Sequence, residues 1–242
     1  MDADALDKAI GHWMWRKTTG GRGRRVVSFD GKSWRGTRAG DGRAIHLLAG
    51  VCQRLGVIMG HIGVDTQTNE IPMLRELLAR VDIDGMIITA DAMHTNRDTA
   101  TYITDLGGHY LLTVKDNQPG LRKALKKPPW HSVRTHDRTR SCRHGREETR
   151  TLKALEIRGP GIEFRGARLA LKITRRRVDA RTRKFQSATV YAITSLSADE
   201  ATTRQVAAWL RGHWHIENRV TLRPMSPSTK TGVGSAPAPA HK

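Results

Sequence analysis

The run Gly85-Met-Ile-Ile-Thr-Ala-Asp-Ala-Met-His-Thr95 splits into an apolar half and a polar half. Met86 to Ala90 follows a glycine and is too short for a helix, so it reads as a buried strand. Asp91 stands where that strand runs out. A carboxylate there is costly unless something pairs it, and strand ends in open α/β sheets are where ligands bind. Capping the following helix would also account for it. Further out, Arg25-Val-Val-Ser-Phe-Asp-Gly-Lys-Ser-Trp-Arg-Gly36 has the same form. An apolar strand, Val26 to Asp30, ends in an acid and is followed by Gly31 and cations. Two strands that each deliver an aspartate to one sheet edge bring two carboxylates together. Such carboxylates repel unless a divalent cation lies between them.

The neighbouring segments supply the rest of a sheet. Residues 45–53 and 57–64 read as strands joined at Arg54-Leu55-Gly56, a hairpin. From Ile71 to Val81 the residues Ile71, Leu74, Leu77, Leu78 and Val81 fall on one helical face, with Pro72 in the first turn. A second helix spans Asn96 to Leu106 and is stopped by Gly107-Gly108. Tyr110 to Val114 is a fifth strand, and Pro119 to Lys127 a short basic helix closed by Pro128-Pro129. A three-stranded meander followed by βα units predicts an α/β fold, a ribonuclease-H-like mixed sheet with flanking helices. Residues 130–196 read as a β-rich basic insertion, with strands at 152–157, 168–173 and 188–194 and strongly basic segments at 134–150 and 175–184. Ser197-Ala-Asp-Glu200 has the form of a capping box opening a helix that runs to Val220. Val206, Trp209, Leu210, His213 and Glu217 share one face of that helix.

The expected plan is a helix and linker over residues 1–25, the first part of the core over 26–129, the insertion over 130–196, and a core helix over 197–220. Residues 221–242, rich in Pro, Ser, Thr, Gly and Ala without periodicity, are expected to be disordered.

Composition narrows the partner. There are 42 Lys+Arg against 23 Asp+Glu, a formal net charge of +19. Charge of that sign points to a polyanion, most commonly nucleic acid. Two cysteines make no disulfide framework, and no apolar run approaches the ~20 residues of a membrane span. No signal-peptide pattern is visible in Met1 to Ile10, so the expected setting is the cytoplasm and its nucleoid.

Asp30 and Asp91 from two strand ends and Glu217 from a late helix form a plausible triad. Three carboxylates from separate elements suit two Mg²⁺ (or Mn²⁺) ions roughly 3.5–4 Å apart, the arrangement that cuts phosphodiesters. Lys32 and Arg35 follow the first acid and are candidates for phosphate contacts, against a reading as ordinary solvated cations. Lys115, Asn117 and Gln118 follow the fifth strand at the same edge, and fit either DNA contacts or a turn. His213 and Trp214 lie one turn before Glu217, with Asn218 just after it, and all three are candidates for DNA contacts. Trp214 suits stacking on a base or filling a core. Cys142, His131, His136 and His144 do not match a standard zinc spacing and read as scattered surface residues.

Several blocks carry a family resemblance. They are Asp-Gly-Lys-Ser-Trp-Arg-Gly at 30–36, Thr-Asn-Glu-Ile-Pro at 68–72, Thr-Ala-Asp-Ala-Met-His-Thr at 89–95 and Tyr-Leu-Leu-Thr-Val-Lys-Asp-Asn-Gln-Pro at 110–119. His-Gly-Arg-Glu-Glu-Thr-Arg at 144–150 and Arg-Gly-His-Trp-His-Ile-Glu-Asn at 211–218 complete the set. Together they resemble the H-repeat-associated, ISAs-type DDE transposases of bacterial insertion sequences. The resemblance implies a ribonuclease-H-like fold, double-stranded DNA as substrate, and a homodimer in intact relatives. It assigns the three acids to Asp30, Asp91 and Glu217. Relative to the family pattern the blocks start close to the N-terminus, and the acidic block expected after Glu217 is replaced. One legal coding of Thr221 to Gly232, read one base out of frame, spells the expected acidic block, so the tail reads as a frameshift. The sequence therefore predicts a transposase remnant with impaired activity. A non-catalytic DNA-binding remnant and a basic RNA-binding protein are the alternatives.

Overall fold

The computed structural model describes residues 23–38, 44–64, 70–143, 146–179 and 181–219. Nine strands form one mixed sheet in the order β3-β2-β1-β4-β5-β9-β8-β7-β6. They are β1 (Val26–Arg38), β2 (Ala44–Cys52), β3 (Val57–Val64), β4 (Ile87–Ala90), β5 (His109–Val114), β6 (Asp137–Arg143), β7 (Arg146–Glu156), β8 (Leu169–Asp179) and β9 (Phe185–Thr194). Among the described residues four α-helices accompany them: α1 (Glu70–Leu78), α2 (Arg97–Asp105), α3 (Pro119–Lys126) and α4 (Thr203–Arg219).

The meander β1–β2–β3 is antiparallel, and β1, β4 and β5 are parallel neighbours. This is the expected ribonuclease-H-like mixed sheet. Parallel neighbours need helical crossovers, and α1 and α2 provide them. Central strands covered on both faces must be apolar throughout. Ile87, Ile88, Tyr110, Leu111 and Leu112 are all essentially without solvent contact. One face packs on α1 and α2 through Val27, Phe29, Ile88, Leu74, Leu78 and Ile103. The other packs on α4 through Val26, Ile87, Leu111, Val206, Ala207 and Leu210.

The insertion does not stand apart. β9 pairs antiparallel with β5, so β6–β9 continue the core sheet. Leu152, Leu169, Leu171 and Ile173 share the apolar cluster beneath α4 with Val26 and Ile87. A sheet whose first and last thirds meet the same helix must curl around it, as right-handed strand twist favours.

Several local expectations shift. β1 does not stop at Asp30; it continues against β2, while its parallel pairing with β4 ends at Phe29↔Ala90. The basic segment after Ile173 is strand, because β8 and β9 form a long hairpin rather than two short strands. β6, too polar to read as a strand, is one because β7 completes its ladder. The helix expected from Ala198 opens at Thr203. Glu200 Oε2 does accept from Ser197 N at 2.8 Å, but this only closes a turn. The box that starts α4 is Thr202 with Gln205: Thr202 N donates to Gln205 Oε1 at 2.9 Å, and Gln205 N to Thr202 Oγ1 at 3.3 Å. Asn96 caps α2 as its sequence suggests, accepting from Thr99 N at 2.7 Å, and Gly107 takes φ +73° just beyond it. The expected N-terminal helix and the tail lie outside the described residues.

Candidate active site

The register of β1 and β4 sets the site. Ser28 pairs with Thr89 and Phe29 with Ala90, so Asp30 and Asp91 are the next positions on adjacent strands. Neighbouring strands lie ~4.8 Å apart, and side chains two residues apart share a face. Ser28 and Thr89 touch through their hydroxyls at 2.8 Å, which fixes their common face. Asp91 keeps extended backbone at φ −63°, ψ 160°, so Asp30 and Asp91 follow onto that face.

Asp91 both caps and faces the edge. Its Oδ1 accepts from Ala92 N at 2.6 Å and from Lys115 Nζ at 3.0 Å. Burial alone would raise its pKa, but the Ala92 bond and the Lys115 charge outweigh burial and hold it below the ordinary carboxylate value. His94 is buried behind it in the 3₁₀ turn Ala92–His94. Burial pushes the His94 pKa down to about 4, although Asp91 and Asp30 both pull it upward. His94 is thus neutral at neutral pH, and it senses both carboxylates.

α4 closes the face from above. His213 is buried and shares a 3.1 Å hydrogen bond with Thr89 Oγ1 through Nδ1. Gln53 Nε2 donates to Ser28 Oγ and to the Trp209 carbonyl, both at 2.9 Å. A Cβ on Gly212 would come within 2.3 Å of Gln53 Oε1, so the glycine lets the helix sit close. Ser28, Thr89, Gln53 and His94 were not singled out by sequence reasoning. For Ser28, Thr89 and His94 the only signal was position, two residues before an acid or three after one; Gln53 carried none.

The other candidates separate. Asn117 Nδ2 donates to the Ala92 carbonyl at 2.6 Å, so its amide holds the turn after Asp91. Gln118 precedes α3 and makes no side-chain cap bond. Trp214 packs beside Leu152 and Ile173, with the Arg150 guanidinium 5.9 Å from its ring centre. The side chains of Lys32, Arg35, Glu217 and Asn218 lie outside the described residues; the backbone of the first two belongs to β1 and of the last two to α4. Among the described residues no three His, Cys, Asp or Glu side chains group as a metal cluster. Cys142 is exposed and free, and His136 Nδ1 accepts from Ala154 N at 3.2 Å. No described helix is long and apolar enough to cross a membrane.

Residues 21–220 match the transposase DDE domain family, and the chain belongs to it. Among curated relatives, the "H repeat-associated putative transposase YhhI" of Escherichia coli (strain K12) is 32% identical over 214 residues, covering 82% of this chain and 55% of the relative. YbfD, named in the same way from the same organism, is 35% identical over 150 residues, 57% of this chain and 58% of the relative. The chain spans a little over half the length of these relatives. A piggyBac transposase in a synaptic complex with hairpin DNA overlays at a TM-score of 0.42 and 13% identity, covering 79% of this chain and 38% of that one.

Proposed function

We propose that this chain carries the phosphodiester-transfer site of a DDE transposase, acting on double-stranded DNA through Asp30, Asp91 and Glu217. The observation that supports it most is the in-register placement of Asp30 beside Asp91 beneath α4. Val206 and Leu210 pack in the cluster with Val26 and Ile87, and His213 meets Thr89. The helix therefore advances with the strands. One helical turn of four residues covers ~6 Å, and two strand residues cover ~6.6 Å. Position 217, a turn beyond His213, then comes level with Asp30 and Asp91.

All-oxygen donors from carboxylates suit a hard divalent cation such as Mg²⁺ or Mn²⁺. Such ions, when bound, activate the attacking oxygen and stabilise the leaving oxygen of a phosphodiester. The chain's own residues do the rest. Asp30, Asp91 and Glu217 would hold the cations. Lys115 offsets the Asp91 charge, and Asn117 fixes the turn that aims it. Neutral His94 and the Ser28–Thr89–His213 hydrogen bonds keep the floor of the site in place without adding charge. Lys32, Arg35, Lys115 and Gln118 are the proposed phosphate contacts around the acids.

The test is cation binding and cleavage measured separately. Mn²⁺ titration of the purified chain, followed by electron paramagnetic resonance, is expected to show binding that weakens at least tenfold in Asp30→Asn and in Asp91→Asn. Nicking of plasmid DNA should vanish in both, while DNA retention in EDTA stays unchanged. Wild-type Mn²⁺ affinity in both variants would overturn the assignment.

A further inference from the structure

The strands of the insertion carry a second polar site on the same face of the sheet as the acids. The register Glu148↔Arg177 and Arg150↔Arg175 places all four side chains on one face of β7 and β8. Thr139 and Ser141 of β6 lie on that face too, opposite Arg150 and Glu148. Thr139, Ser141, Glu148, Arg150 and Arg177, with Arg146 and Arg211, line an open groove of about 530 Å³, and Arg175 stands at its margin beside Arg177.

Glu148 organises the groove. It accepts from Arg150 Nε and from Arg177 Nε, each at 2.6 Å, one on each oxygen. Its side chain is 15% exposed, against 40% for Arg177. Both arginines bind it through Nε, so the Glu148 bonds leave their terminal nitrogens available. Arg150 is steadied further by Trp214, and Arg211 by Asp137 Oδ2 at 3.1 Å. Burial, and then repulsion from Arg177, lower the pKa of Arg175 despite attraction from Glu148. Two carboxylates, Glu148 and Asp137, against the guanidinium groups of Arg146, Arg150, Arg175, Arg177 and Arg211 leave the groove net positive, and oriented Arg forks suit phosphate oxygens.

Its position gives the groove a partner. Asp91 follows the Ala90↔Leu112 pair and so stands level with Thr113, which pairs with Ala192, which pairs with Leu171. Arg175 and Arg177 lie four and six residues beyond Leu171 in the direction in which β1 and β4 deliver their acids. At ~3.3 Å per residue that is roughly 13–20 Å further along the same face. A duplex reaching Asp30 and Asp91 on this face has its flanking backbone at the height of the arginines.

We infer that the Glu148-centred arginine groove is a built docking site for the phosphodiester backbone of duplex DNA flanking the reacting position. This rests on the reading of the chain as a DNA-acting transposase, but not on catalysis. The hairpin joining β8 to β9 carries Arg181 and Arg183 away from the groove lining, and they supply a control of equal charge.

The experiment is fluorescence-anisotropy binding of a duplex oligonucleotide in EDTA across a salt series, with inorganic phosphate as a competing probe. Arg146→Gln with Arg177→Gln should weaken binding on the order of tenfold and flatten the log–log salt slope by about 1.8, two phosphate contacts at ~0.9 each. Arg181→Gln with Arg183→Gln, which removes the same charge, should change the slope by less than half as much. Glu148→Ala should also weaken binding, although it makes the protein more positive, because the arginine forks lose their anchor. Equal slopes in the two double variants, or tighter binding in a Glu148→Ala protein with wild-type circular dichroism and melting temperature, would overturn the groove in favour of diffuse charge. Competition by millimolar phosphate without loss of duplex binding in the groove variant would assign the site to a free anion and overturn it as well. Asp91→Asn, which removes a carboxylate and releases Lys115, should bind duplex no more weakly than wild type, so a failure of the catalytic reading and a failure of this one are told apart.

Discussion

Gly212 offers a prediction whose sign depends on a second residue. In Gly212→Ala the new methyl would stand 2.3 Å from Gln53 Oε1 and 2.7 Å from its Cδ, so the Gln53 amide must leave. Two hydrogen bonds go with it, to Ser28 Oγ and to the Trp209 carbonyl. At about 1 kcal/mol each the loss is about 2 kcal/mol. Alanine in place of a mid-helix glycine returns about 1 kcal/mol. The net is a destabilisation of about 1 kcal/mol, a fall of roughly 2–4 °C in Tm for a chain of this size. In a Gln53→Ala background the obstacle and both bonds are already gone. There the same substitution should stabilise by about 1 kcal/mol. Urea unfolding of the four proteins of this cycle, followed by tryptophan fluorescence, measures both values. The same sign of effect in both backgrounds would refute the claim that Gln53 and Gly212 together set the height of α4 over the sheet.

Other consequences concern the core and the floor of the site. Trp130 is buried and donates Nε1 to the Leu125 carbonyl at 2.8 Å; Trp130→Phe should cost about 1 kcal/mol and Trp130→Ala about 3–5, read by denaturant midpoints. Thr89→Val keeps the shape but removes the hydroxyl shared by Ser28 and His213, and should cost about 1–3 kcal/mol by the same assay. His94 titrates near 4 in the fold and from 6.5 as its ordinary value. The unfolded chain therefore takes up the proton first, and stability should fall as pH drops from about 6.5 towards 4, then level off. His94→Gln should flatten that limb in pH-dependent unfolding; an unchanged limb would mean that His94 is not held neutral.

The apolar runs and their flanking glycines made the first five strands, α1, α2 and the parallel core legible from residues alone, whereas polar β6 and the outer halves of β7, β8 and β9 left no such mark. Buried central strands have one solution to their backbone and side-chain demands, and it leaves a clear pattern. The same pattern singled out Asp91, because an acid directly after four buried residues is conspicuous. It misplaced the end of β1: residues beyond Asp30 are polar, and what keeps them extended is the ladder with β2, a non-local partner. It misplaced the start of α4, since two successive capping boxes, at 197–200 and 202–205, satisfy the same local rule and packing selects between them.

Residue identity by itself determined that the chain is strongly basic, that its core is a mixed α/β sheet, and that Asp30 and Asp91 end up near each other. Tertiary structure decided the rest. Glu148 and four arginines separated by up to 65 positions, Arg146 to Arg211, share a groove because strand pairing and a curled sheet bring β6, β7, β8 and α4 together. Gln53 meets Trp209 across 156 positions for the same reason. Such meetings depend on register, twist and helix height, which are properties of the packed whole, and a polar side chain read in isolation carries no mark of the partner it will find.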